Sequence, residues 1–217
     1  MVLSTNFTDY GFGTRRSVFA PLLGNGIFTQ EGREWKHSRE LLRKQFIRAQ
    51  YQNFRHFHEH VHNLIQCLPE NGDVDLQPLF FKLTLDVATD FLFGRSVYTL
   101  KAGADQEDRN RVFAESFEVA QDGLVKRYRL APFHFLYNPP AFRKACRSVH
   151  QFVEEYIRES GVMQRDGAED SKEKTSSSWF TQQIAKNSAD ERELRDQLLN
   201  LLLAGRDTTA CCLSWTL

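Results

Sequence analysis

The chain of 217 residues has no excess of charge: 28 Lys and Arg stand against 28 Asp and Glu. A surface built to follow a nucleic-acid backbone is basic, so no nucleic-acid partner is expected. Cysteine is scarce. The four present, Cys67, Cys146, Cys211 and Cys212, form no CxxC pair, which excludes a zinc framework and a disulfide scaffold and fits a reducing compartment. Long apolar runs are missing too. The longest, residues 198–204, is interrupted by Asn200 and falls far short of the ~20 residues that span a bilayer. Residues 1–20 lack the basic-then-apolar pattern of a secretory leader, so the triplet Asn6-Phe7-Thr8 carries no glycosylation reading. The chain is expected to be of soluble type, or to be missing its anchor. At 41% hydrophobic and 26% charged residues the composition is globular, and one domain is the expectation for this length.

The apolar positions recur mainly at threes and fours, the period of helices. Residues 1–30 are punctuated by Gly11, Gly13, Pro21, Gly24 and Gly26 and read as irregular, with a tight turn at 24–26. Helices are predicted over about 31–47, 50–68, 78–94 (closed by Gly94), 111–121, 142–156 and 179–186. Residues 164–178 hold no large apolar side chain and read as an exposed loop. A last helix is predicted from about Ser188, where Ser188 and Glu191 have capping-box spacing, to Leu217. Leu198, Leu199, Leu201, Leu202 and Leu203 cover most of its circumference. Such a helix belongs inside a larger body, and this one is expected to lack part of its cover. The fold class is mainly α.

The same helix carries Ala204-Gly205-Arg206-Asp207-Thr208-Thr209. Gly, Asp and two Thr together cost it ~2.5–3 kcal/mol relative to Ala. Gly205 allows close approach to the backbone. Asp207 and Thr208 set a carboxylate beside a hydroxyl where the ladder is expected to be weak, a polar notch in an apolar wall. A helix–helix contact through small residues is the alternative. Trp35 and Arg39 lie four apart on one helix face. Both donate and neither accepts, which suits an anion such as a carboxylate; an intrahelical cation–π contact is the alternative.

Trp35-Lys36-His37-Ser38-Arg39 resembles the W-x-x-x-R signature of the cytochrome P450 family, and residues 204–209 resemble its A/G-G-x-D/E-T-T/S signature. The stretches 21–28, 91–94 and 194–200, with Arg206 inside the second signature, resemble the fungal alkane and fatty-acid ω-hydroxylase branch. The likeness spans essentially the whole chain. It implies a partial cytochrome P450 domain over 1–217, its helices corresponding to the family's C to I helices.

What the resemblance implies for function follows from those positions. The cofactor would be haem (iron protoporphyrin IX), whose axial thiolate favours O–O cleavage. Trp35 and Arg39 would bind a haem propionate. Ala204 and Gly205 would leave room for O₂ beside the haem, Thr208 would hydrogen-bond the activated oxygen, and Asp207 would relay protons from solvent. Electrons would come from NADPH through a separate NADPH-cytochrome P450 reductase, for which basic residues of 31–48 form a candidate docking face. The substrate would be a lipophilic small molecule, an alkane or fatty-acid chain. The parent protein would sit at the cytosolic face of the endoplasmic reticulum membrane through an N-terminal anchor not seen in this chain. The family's cysteine loop, F-x-x-G-x-R-x-C-x-G, is absent from the 217 residues, so no axial metal ligand is assigned here and the chain alone is expected to be inactive.

Two other readings accompany this one. The chain could be a non-catalytic helical protein without cofactor. Alternatively, His58-Glu59-His60-Val61-His62 satisfies H-E-x-x-H, in which His58 and His62 would hold zinc and Glu59 would act as base. Arg55, His56, His60 and Asn63 flank that motif, so it reads as a half-exposed surface cluster of histidines.

Overall fold

The computed structural model describes residues 9–49, 55–101, 108–163, 179–188 and 190–217. The loop expected at 164–178 and the Asn6-Phe7-Thr8 triplet lie outside them. The helices are α1 (Arg15–Leu23), α2 (Gly32–Ala49), α3 (Arg55–Gln66), α4 (Leu76–Phe93), α5 (Asp108–Arg129), α6 (Pro140–Ser160), α7 (Trp179–Ala185) and α8 (Glu191–Thr216), with a 3-10 turn at His134–Leu136. Among the described residues there is no strand, and no helix is long and apolar enough to cross a membrane.

Helix α8 is the axis. Its main neighbour is α4, and α1, α6 and α7 also pack on it; α3 lies on α4, and α5 lies on α6 and α1. Leu198, Leu199 and Leu202 are fully buried. The cover expected to be missing from this run is thus supplied within the chain. Exposure falls further along, at Gly205, Thr208, Thr209 and Trp215.

Helix α4 ends at Gly94 in the left-handed conformation (φ 66°), as the sequence indicated, but starts earlier than the expected 78, at a cap on Asp75 whose carboxylate accepts from Gln77 N. The start of α8 differs from expectation. Its cap is Asp190, which accepts from Glu193 N at 2.7 Å, while Ser188 donates to Ile184 O behind α7. Both are i,i+3 patterns and the chain takes the later one, two residues beyond Ser188.

The opening segment is not irregular throughout, because 15–23 is helical despite Pro21. Proline removes the amide that would bond to the carbonyl four residues back. That carbonyl, Ser17 O, accepts from Arg127 Nη2 at 3.0 Å. Arg127 also donates to Val18 O at 3.1 Å and to His134 O and Tyr137 O beyond α5. One buried guanidinium therefore supplies the donor that α1 lacks.

Helix α5 runs well past the expected stop at Gln121, through Gly123. A Cβ at Gly123 would overlap the ring of Phe142 on α6, so this glycine is a seat for the ring. Phe113 stacks on Phe152 with centroids 4.1 Å apart, and Arg109 pairs with Glu159 at 2.7 Å across the same two helices.

Residues 24–30 turn against the buried half of α8. Asp196 Oδ2 accepts from Asn25 N (2.7 Å), Gln197 Oε1 from Ile27 N (3.3 Å) and Asn200 Oδ1 from Phe28 N (2.9 Å), while Asn200 Nδ2 donates to Leu23 O (2.9 Å). Side chains at Gly24 and Gly26 would run into Asp196 and Asn200. Replacing Asn200 by Leu, close in size, leaves Phe28 N and Leu23 O buried without partners. Such a loss costs about 1–3 kcal/mol per group. Chemical denaturation should show Asn200→Leu destabilised by at least 1–3 kcal/mol; unchanged stability would show that the turn finds other partners.

Candidate functional site

Helix α8 continues without a break through 204–209. The weak place expected in its ladder is not seen: the Thr208 hydroxyl donates to Ala204 O at 2.7 Å and adds to the helix bonding. A hydroxyl folded back on its own helix satisfies the polar atom at an exposed position and keeps it available for exchange with another partner.

Ala204 and Gly205 line an apolar cleft of about 440 Å³ between the middle of α8 and α4, bordered also by Phe46 of α2 and Phe57 of α3. The α4 wall is Leu83, Thr84, Val87, Ala88, Phe91 and Leu92. A Cβ placed on Gly205 would meet only Ala88 Cβ, at 3.7 Å. The glycine is thus not required by helix packing, and its missing side chain leaves the cleft open. Thr209 is on the cleft wall and Thr208 is not.

Asp207 faces away from the cleft, toward α5. Its Oδ1 accepts from Arg206 Nη1 at 3.0 Å, and its Oδ2 accepts from Gln121 Nε2. Arg206 is 5% exposed. It also donates to Gln121 Oε1 and Glu118 Oε1, and its guanidinium lies 4.9 Å from the centre of the Phe81 ring. Burial pushes the Asp207 carboxyl above the usual carboxylate range, against the opposing pull of Arg206 and the hydrogen bond from Gln121. Sequence reading missed Arg206, Glu118 and Gln121 as a group. The available signal was an arginine in an apolar helix, with Glu118 and Gln121 three apart on another.

Trp35 is half-buried and Arg39 exposed. The guanidinium sits over the indole, 5.4 Å from its centre. Among the described residues Arg39 has no carboxylate partner. The pair is therefore a stacked cation with its donors unspent. Ser38, between them in sequence, is buried and bridges Gln197 Nε2 and Gln30 Oε1, both at 2.6 Å, so α2 is keyed to α8 through the motif itself.

The histidine motif on α3 is arranged differently from expectation. His58, Glu59 and His62 are exposed, but His60 and Asn63 are buried. His60 Nε2 lies 3.3 Å from Asp90 Oδ2 on α4, Glu59 pairs with Lys101 at 3.1 Å, and His62 contacts Gln66 at 2.9 Å. The inward face thus belongs to the residues read as surface, because the apolar Val61 and Leu64 turn that side to α4. Among the described residues no three His, Cys, Asp or Glu side chains cluster as metal ligands would.

A family model for cytochrome P450 matches residues 3–217. The chain is 43% identical to cytochrome P450 52A13 of Debaryomyces hansenii, over 99% of this chain and 43% of that protein. It is 41% identical to cytochrome P450 52A8 of Candida tropicalis, over 99% and 42%, and 38% identical to the cytochrome P450 monooxygenase himC of Aspergillus japonicus, over 98% and 39%. In fold it resembles a six-coordinated cytochrome P450 from Thermus thermophilus, with a TM-score of 0.61 at 17% identity over 94% of this chain and 44% of that one. The chain spans about two fifths of the length of the curated relatives it matches.

The cleft makes a direct prediction. An apolar fluorescent probe should bind there, and Gly205→Leu, whose Cβ would be in ordinary contact with Ala88 Cβ at 3.7 Å, should fill part of the space. The expected loss is about tenfold in affinity, the equivalent of one displaced aliphatic contact of ~1.5 kcal/mol. Titration of probe fluorescence against the two proteins measures it; equal affinities would place the probe elsewhere.

Proposed function

The chain belongs to the cytochrome P450 family, and we propose that it forms part of a haem-thiolate monooxygenase acting on lipophilic chains, alkanes or fatty acids. Residues 1–217 would be a partial cytochrome P450 domain. The observation that carries the reading is the middle of α8. Small residues there open onto an apolar cleft, with a hydroxyl and a carboxyl next in sequence.

The residues present fit a haem in part. Arg39, stacked on Trp35 with its donors unspent, suits a propionate, for which a guanidinium is the strongest neutralising partner. Ala204 and Gly205 suit a flat apolar group laid against α8. None of the four cysteines offers a thiolate ligand in the family's pattern. Cys146 is buried and its thiol is pushed up to about 12, while Cys67 donates to Leu100 O at 3.2 Å. When bound, the haem iron would supply oxygen activation. The chain's own part would be to exclude water with the apolar cleft wall, to hold a proton at Thr208 Oγ1, and to resupply it from Asp207.

The parent enzyme would draw its electrons from NADPH through a separate NADPH-cytochrome P450 reductase. Arg33, Lys36, Arg43 and Lys44, exposed on α2, suit an acidic docking surface. The parent would act at the cytosolic face of the endoplasmic reticulum membrane.

Two experiments on the haem-loaded full-length protein test this. Thr208→Ala should lower the product formed per NADPH consumed and raise the peroxide yield, while Asp207→Asn slows turnover and Thr209→Ala leaves the ratio near the parental value. The assignment of Thr208 fails if its variant keeps the ratio and Thr209→Ala loses it. Arg39→Ala should speed haem transfer to an acceptor protein by about tenfold or more, as expected for a charge-assisted bond of ~1.5–3 kcal/mol. Lys36→Ala should not, and equal rates in the two would remove the propionate assignment.

A further inference from the structure

Arg15, at the start of α1, carries a half-buried guanidinium ringed by aromatic side chains. The ring centres of Phe12, Phe19 and Phe28 lie 4.9, 5.7 and 5.9 Å from it. They come from three segments: the chain before α1, the next turn of α1 and the 24–30 turn. Each is held from elsewhere. Phe28 N donates to Asn200 Oδ1 on α8 at 2.9 Å, four residues before Ala204. Phe19 meets the Tyr128 ring of α5 at 5.9 Å, and Phe12 N donates to Glu31 Oε1. Phe19 and Phe28 also pack on the main core. The cage is therefore fixed in place where α1, α5 and the 24–30 turn on α8 meet.

The cage does not supply an acceptor. Ring faces answer the charge of a guanidinium but not its five N–H donors. Among the described residues the Arg15 side chain enters no ion pair and donates no hydrogen bond. Glu31, a carboxylate that reaches this corner, is occupied by Phe12 N. A charge drawn part-way out of water without a partner costs free energy, and a carboxylate would recover it, because its two oxygens match the guanidinium fork. The phenyl rings around the fork suit methylene groups next to that carboxylate.

We propose that Arg15, with Phe12, Phe19 and Phe28, receives the carboxylate end of a fatty acid: the guanidinium takes the two oxygens and the rings cover the first methylenes. This gives a head group to the lipophilic chain of the monooxygenase reading, and rests on that reading for what becomes of the chain afterwards. An alkane has nothing to offer Arg15, so the site separates the two substrate types.

The test uses the 217-residue chain and two fluorescent probes, cis-parinaric acid and its methyl ester, at a pH where the acid is ionised. The probes differ in the head group alone. The acid should bind about tenfold more tightly, as expected for one charge-assisted contact. Arg15→Met, similar in length and uncharged, should bring the ratio near one by weakening the acid while the ester keeps its affinity. Arg16→Met, at the exposed neighbour outside the cage, should leave the ratio in place. Phe12→Leu, at an exposed ring, should weaken acid and ester alike. If Arg15→Met does not fold, Arg15→Gln carries the same expectation. A ratio near one in the unaltered chain, a ratio that survives the loss of Arg15, or equal weakening of both probes by that loss would overturn the site. The binding test needs no haem, so its failure leaves the monooxygenase reading standing. A haem-loaded full-length protein that hydroxylates neither fatty acids nor alkanes would remove that reading and leave the carboxylate site.

Discussion

A stretch of helix buried on every side must find a partner for each polar group it carries, and the first half of α8 takes Arg195, Asp196, Gln197 and Asn200 into the interior. They are satisfied by wrapping the 24–30 turn around the helix and by Glu154 on α6, which accepts from Arg195 at 2.6 Å. Much else depends on this arrangement. The turn leads into α2, and Gln197 reaches Ser38 between Trp35 and Arg39. The two motifs, some 170 residues apart, are therefore registered on one helix by hydrogen bonds, which are directional in a way that apolar packing is not. Gly24 and Gly26 are required by the same contact, since a side chain at either would overlap Asp196 or Asn200 on α8.

Much of the architecture was legible in the sequence because most elements obey local rules. Helix α4 stops at Gly94 as expected, and α6 covers the expected 142–156, although α4 starts earlier, after Asp75, and α6 runs longer at both ends, from Pro140 to Ser160. The departures came where a distant residue decides. Pro21 argues against a helix until Arg127, more than a hundred positions away, supplies the donor for Ser17 O. Helix α5 is expected to end at 121, yet it continues through Gly123, where the ring of Phe142 from α6 occupies the place a side chain would take. The cap of α8 could not be chosen between Ser188 and Asp190 by spacing alone. At the candidate site, the small residues of α8 and the Trp35–Arg39 face were readable from side-chain chemistry and period. The group around Arg206 was not, because it is made between α5 and α8.

Two carboxyls whose pKa is raised by desolvation, one fully buried and one half-buried, differ in what holds them. Asp86 is fully buried and accepts from Thr99 N (2.7 Å), Thr99 Oγ1 (2.8 Å) and Leu100 N (3.0 Å). It pins the chain after α4, and burial raises its pKa despite these bonds. Because the folded value is raised, its contribution to stability is complete below the ordinary carboxylate range and lost as pH rises through the raised value. Asp207 is raised for the same first reason, but its partners are side chains, one of them a cation that has other claims on it. Backbone donors move only when the fold moves, whereas side-chain donors can be redistributed. That difference separates an acid fixed by the backbone from one fixed only by its neighbours' side chains.

The joint between α5 and α6 has a mechanical consequence. The Phe142 ring seated at Gly123, the Phe113–Phe152 stack and the Arg109–Glu159 pair are spread along the shared length of the two helices, so neither slides nor rolls on the other without breaking contacts at several levels. Arg127, near the C-terminal end of α5, bolts the same pair to α1 through Val18 O and Ser17 O, so a load placed on any one of the three helices is shared among them.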